Sequence, residues 1–155
     1  MTQEGKELLL KDLCARLPYG VKCKWEHEHA GKTYVGGGVL CDIDHVKTSN
    51  GYRYWDCYFE DEGDDIPIEL VKPYLRPLSS MTKEERQEME KVIGSNPIEP
   101  FGTLTDTCDN LVRSCAYGSY LMLHYLYSHH FDVINLIEKG LALEAKKEMY
   151  DIKEK

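Results

Sequence analysis

Three sets of residues in this chain have the types and spacing to do chemistry. His27 and His29 stand two apart in the run KWEHEH, and His129, His130 and Asp132 crowd a single corner. Three such ligands with one position left open would suit a catalytic metal. Neither group carries the i, i+4 histidine pair with a glutamate that marks a metal-dependent hydrolase, and a cation at a helix C-terminus is accounted for by the helix dipole. A structural role is the expectation for the His129 corner, a metal-dependent enzyme is the rival class, and no cofactor is assigned.

The second set is acidic. Asp61, Glu62, Asp64 and Asp65 have the oxygens for a divalent cation but not the twelve-residue pattern of a calcium loop, so a solvated turn is expected. A nucleophile is no better supported. The chain has no GxSxG, and its six cysteines, at 14, 23, 41, 57, 108 and 115, form no CxxC and fall on apolar-phase positions. They read as buried, reduced thiols in a reducing compartment. Gly36, Gly37 and Gly38 lack the lysine and serine or threonine of a phosphate-binding loop and instead predict a bulge, a bend or a close backbone approach.

The third set is aromatic. Trp25, Tyr34, Tyr52, Arg53, Tyr54, Trp55 and Tyr58 are the candidate ligand-binding residues, most of them in the run YRYWDCYFE. Alternation puts Arg53, Trp55, Cys57 and Phe59 on one face of that strand and Tyr52, Tyr54, Asp56 and Tyr58 on the other. Aromatics on both faces mean either a central position in a small barrel or a face offered to a ligand. With Lys22, Lys24 and Arg53 for phosphates, these rings could stack the base of a nucleotide.

The elements that must position these residues follow from periodicity. Leu9, Leu10, Leu13, Cys14 and Leu17 recur at helical spacing from Gln3 to Leu17, and Pro18-Tyr19-Gly20 ends that helix. Val21 to His29 alternates as a strand, Ala30-Gly31 turns it, and Val39, Cys41 and Ile43 continue the apolar phase after the glycines. Asn50-Gly51 predicts a hairpin turn. Ile66-Pro67-Ile68 reads as an edge strand, Glu69 to Lys72 as one tight helical turn, and Pro73 to Pro77 as a last strand. Thr82 and Glu85 have capping-box spacing for a helix ending near Gly94. Residues 95–103 read as a loop, and a long helix begins beyond Leu104, capped by Thr105 or Asp106 and interrupted in composition by Gly118. Asp132 would cap a short helix, VINLIEKG, ending at a left-handed Gly140, and the tail DIKEK should fray.

This pattern predicts an α+β protein: a helix over 1–18, a small SH3-like β-barrel over 19–78 and a helical region over 79–155 packed on the barrel. Composition agrees with a globular chain, at 42% apolar and 30% charged residues, and no run reaches the length of a membrane span. The N-terminus lacks a signal-peptide core, which places the chain in the cytoplasm. The net charge of −8 divides equally about Leu78, and no basic stripe favours nonspecific nucleic-acid binding. An acidic surface could meet a basic partner, but an ordinary, mildly acidic soluble protein is the expectation.

Three segments, ELLLKDLCARLPYGV, DIPIELVKPYLRPLSSMT and HHFDVINLIEKGLALEA, resemble those of small uncharacterised proteins of gut Bacteroidetes and their phages. The resemblance implies a phage or mobile-element origin in a bacterial host cell and no particular activity. YFEDEGDDIPIELVKPYLRPL is similar to the closing part of Tudor-type SH3-like barrels, a likeness that implies an aromatic cage for methylated cations. The resulting expectation is a non-enzymatic accessory factor that binds and inhibits a host-defence protein, or sequesters a small ligand such as a cyclic nucleotide signal. A structural phage component, recognised by a large homo-oligomer, is the remaining class.

Overall fold

The first helix, α1 (Gln3–Arg16), starts where Thr2 accepts a hydrogen bond from the Gly5 amide at 3.1 Å and stops where Leu17–Tyr19 tighten into a 3-10 turn and Gly20 takes a left-handed φ of 64°. Its Leu9 and Leu13 are fully buried. Cys14, expected in the same apolar face, is exposed, whereas Asp12 and Arg16 are buried in its place. The structure is a computed structural model that describes residues 1–60, 62–94, 107–146 and 148–150; for His29, residues 62–64 and residues 107–116 only the backbone is described. The expected loop at 95–103, the cap at Thr105 or Asp106, the side chains of Cys108 and Cys115 and the tail at 151–155 lie outside these limits.

Strands β1 (Lys22–His29), β2 (Lys32–Lys47), β3 (Arg53–Phe59), β4 (Glu62–Pro67), β5 (Val71–Leu75) and β6 (Leu143–Glu144) form one sheet in the order β4-β3-β2-β1-β5-β6. β2 pairs with β1 through its first half and with β3 through its second. Gly37 permits the first pairing: a Cβ there would meet the Cys23 carbonyl oxygen at 2.5 Å, so the triple glycine marks a close backbone approach. The Asn50-Gly51 turn forms as expected, with Gly51 at φ 84°.

Two sequence expectations for the sheet are corrected. The barrel is not closed: the sheet is open, with β4 and β6 as its edges, so the fold is a mixed α+β arrangement rather than a closed SH3-like barrel. The phase of β2 also changes partway along. A register shift between Leu40 and Asp42 leaves Cys41 as an extra residue, so Leu40 is buried and Cys41 exposed, whereas strict alternation puts Val39, Cys41 and Ile43 together. A one-turn 3-10 helix at Ile68–Leu70 delivers buried Ile68 to the core and leads into β5.

Helices α2 (Lys83–Gly94) and α3 (Thr107–Ser128) pack on each other, with Gly118 facing Ile93. The capping box at Thr82 and Glu85 forms reciprocally, at 3.1 and 2.8 Å, and Glu85 also takes two hydrogen bonds from Arg76. Against the upward push of burial, these partners hold the Glu85 carboxyl below its usual range. Among the described residues no helix is long and apolar enough to cross a membrane.

The chain after α3 folds back as a clasp. Phe131 is fully buried, Arg76 lies over its ring at 4.3 Å, and β6 adds in parallel to β5. The expected short helix VINLIEKG is a series of turns instead. Asn135 takes a left-handed φ of 57°, which breaks a helical hydrogen-bond run, and the Asp132 carboxylate accepts hydrogen bonds from the amides of Leu136 and Ile137 at 2.8 and 2.9 Å. Gly140 is left-handed as expected. Arg16 ties the clasp to α1: it donates to Asp12 at 2.7 and 3.0 Å, and to the Phe131 carbonyl at 2.7 Å.

Candidate functional site

Strand β3 sorts its residues by parity. Cys57 and Phe59 point into the core, where Cys57 lies across from Ile43 and Ile66. Trp55 packs against that core, with the His45 ring 4.6 Å away. The other parity carries Tyr54, Asp56 and Tyr58, with Tyr52 in phase just ahead of the strand. Across the ladders Asp42 faces Tyr58, Asp44 faces Asp56, Val46 faces Tyr54 and Pro67 faces Asp56.

The result is a sheet face on which carboxylates and tyrosines interleave. Tyr52 and Tyr54, with ring centroids 6.0 Å apart and planes tilted by 31°, line a cleft of about 340 Å³ together with Asp56, Asp65, Pro67 and Glu69. Of these lining residues Tyr52 is 62% exposed, whereas Asp56 is 3% exposed. Its Oδ1 is enclosed and has no hydrogen-bond partner among the described residues. Glu69 is paired with Lys6 at 3.0 Å, but among the described residues Asp42, Asp44, Asp56 and Asp65 have no ion pair.

Electrostatics follow from this crowding. Burial, then the charges of Asp65, Glu69 and Asp44, push the Asp56 carboxyl above the ordinary aspartate range. Burial and then Asp65, Asp44, Asp56 and Asp42 push the Tyr58 phenol up as well. A face of this kind attracts cations and repels phosphates.

The sequence-predicted set is therefore divided. Tyr52 and Tyr54 share the acidic cleft, and Tyr58 stands further along the same face. Trp25 and Tyr34 belong to the β1–β2 hairpin, where the His27 ring stacks on Tyr34 at 5.4 Å and lies 6.4 Å from Trp25. Trp25 lines a separate cleft of about 380 Å³ in which Lys24 and Lys72 offset part of the charge of Glu26, Glu28 and Glu69. Trp55 turns to the core side, and Arg53 is exposed at the start of β3. Lys22, read as a phosphate ligand, donates instead to the Met149 carbonyl at 2.8 Å, and Lys24 pairs with Glu26 at 3.3 Å. Asp56, Asp65 and Glu69 are the residues that sequence reasoning left out of the site. The alternation Tyr-x-Tyr-x-Asp leading into β3 was the signal for Asp56.

The histidine corner is occupied by structural contacts. His129 lies 2.9 Å from the Tyr125 carbonyl, Asp132 holds backbone amides, and His130 is buried against the Tyr150 ring at 3.8 Å. Among the described residues no group of three or more His, Cys, Asp or Glu is placed to hold a metal ion; the side chains of His29 and of residues 61–64 lie outside the described residues. Burial pushes both core thiols up, Cys57 to about 12, which keeps them in the unreactive protonated form. Comparison with family models, with curated proteins and with solved structures gives no match.

Proposed function

We propose that the chain is a non-enzymatic binding protein whose β2–β3–β4 face docks a positively charged segment of a protein partner. The observation that carries this reading is the pairing of Asp44 directly across from Asp56, inside a face that also holds Asp42 and Asp65. Like charges opposite each other destabilise a sheet, and a docked cation reverses the sign of that interaction. The net charge of −8 would speed the approach of such a partner.

The likeness of three segments to phage proteins supports a setting in a bacterial host, where covering a basic surface of a host-defence protein would inhibit it. The long β2 and the 3-10 turn before β5 support an SH3-like arrangement of the first five strands as the platform. A nucleotide sponge is less well supported, because the tyrosines proposed to stack a base stand among carboxylates and two of the three cations meant for phosphate are engaged elsewhere.

The test is a titration of isotope-labelled protein with a lysine- and arginine-containing peptide in a glycine-serine background, alongside its glutamate counterpart. The basic peptide is expected to shift amide resonances from Tyr52 to Tyr58 and to bind more weakly as salt rises. Absence of binding by the basic peptide would contradict the reading. A melting temperature raised by a cyclic nucleotide alone would replace it with the sponge.

A further inference from the structure

We infer that the cleft lined by Tyr52, Tyr54, Asp56, Asp65 and Glu69 is a guanidinium site that takes an arginine side chain of the docked segment, an inference that rests on the binding role proposed above. Asp56 lines the cleft, and its Oδ1 is enclosed and without a hydrogen-bond partner among the described residues. A buried carboxylate oxygen left unsatisfied is costly, and it is relieved by an N–H donor carrying positive charge.

Three kinds of organic cation could enter an acidic cleft walled by aromatic rings. A quaternary ammonium brings charge and favourable contact with the rings, but it has no N–H to give. A lysine ammonium has donors, but it is a compact and strongly hydrated point charge. A guanidinium is weakly hydrated, presents a planar fork of donors and stacks on aromatic faces. Only the guanidinium meets all the features of this cleft together: the rings of Tyr52 and Tyr54, the unsatisfied oxygen of Asp56 and the second carboxylate of Asp65 in the same lining. Tyr52 is 62% exposed, so a ligand can reach its ring from solvent. Glu69, already held by Lys6, closes the side of the cleft toward α1.

The experiment titrates the full chain with acetyl-arginine amide, acetyl-lysine amide, acetyl-trimethyllysine amide and the neutral acetyl-citrulline amide, following amide shifts by NMR. Arginine amide is expected to shift resonances around Tyr54–Asp56 and Asp65–Glu69 and to bind about tenfold tighter than trimethyllysine amide, with citrulline amide silent. Asp56→Asn should weaken arginine binding about tenfold. Tyr52→Ala removes an exposed ring without touching the core and should weaken it about threefold, which keeps the test usable should the Asp56 variant fail to fold. Equal or tighter binding of trimethyllysine amide, shifts confined to another face, or unchanged affinity in Asp56→Asn would each overturn the guanidinium site. If basic peptides still bind in that case, the broader binding role stands; if no cationic probe binds at all, both fall.

Discussion

Asp12 and Asp56 are both buried aspartates, at 1% and 3% exposure, and the protein surrounds them in opposite ways. Asp12 accepts two hydrogen bonds from Arg16, which in turn holds the Phe131 carbonyl and lies 4.8 Å from the Tyr127 ring. Asp56 has Asp44 across one ladder, Asp65 and Glu69 nearby, and an oxygen with no partner among the described residues. Burial pushes both carboxyls up, but Arg16 pulls Asp12 the other way while the neighbours of Asp56 push it further. A buried charge supplied with its counter-ion is part of the architecture. One surrounded by like charge in the lining of a cleft fits the cation-binding role proposed above.

The contrast between the two aspartates can be broken first at the clasp, where the effects are largest. Arg16→Met leaves Asp12 buried without its partner and should cost about 3–5 kcal/mol in urea unfolding, because removing one member of a buried pair strands the other. His130 comes next. Burial, then the nearby charges of Arg16, His129, Arg76 and Lys22, lowers its pKa from 6.5 to about 4. The unfolded chain binds that proton more readily, so stability is complete above pH 6.5 and falls as pH drops from 6.5 toward 4, by about 3 kcal/mol from this group. His130→Asn, which tolerates the left-handed φ of 59°, should flatten that acid limb in pH-dependent melting. Thr82→Ala removes one reciprocal bond of the capping box and should cost about 1 kcal/mol by thermal unfolding.

The smallest effect is expected at the sheet face, and its sign is the informative part. With its pKa raised in the fold, Asp56 holds its proton more tightly when native, so its contribution to stability declines as pH rises above the ordinary aspartate value of 3.8. The difference between native protein and Asp56→Asn should therefore change with pH in that direction, against the charges of Asp44, Asp65 and Glu69 that face it.

Much of this was legible in the residues. The α1 span, the Asn50-Gly51 hairpin and the Thr82–Glu85 capping box are local signals, and local hydrogen bonding decides them. The residues place the tight turn and the strand after it in the right order but about two residues late, the structure having them at Ile68–Leu70 and Val71–Leu75. The phase of β2 was not legible up to the bulge, since one extra residue at Cys41 turns Leu40 inward in place of Val39, whereas Ile43 beyond it keeps the expected core phase. The clasp was legible only in part: Asp132 bonds to amides and Gly140 is left-handed as expected, but the turns in place of a helix and the parallel pairing of Tyr74 with Leu143, far apart in the chain, were not. The tyrosines of the candidate site could be read from alternation in β3. Their acidic company could not, because Asp44 and Asp65 arrive from neighbouring strands whose register no single strand reveals.

The most direct test sets the two aspartates side by side: urea unfolding of Asp12→Asn and Asp56→Asn at neutral pH, each against the native chain. Asp12→Asn should lose about 2–3 kcal/mol, because Arg16 keeps its charge and loses its counter-ion. Asp56→Asn should equal the native chain or exceed its stability by up to about 1 kcal/mol, since a like-charge pair across a ladder has been relieved. A loss of stability in Asp56→Asn comparable to that in Asp12→Asn would contradict the account, making Asp56 a member of the architecture and leaving the cleft without its charge.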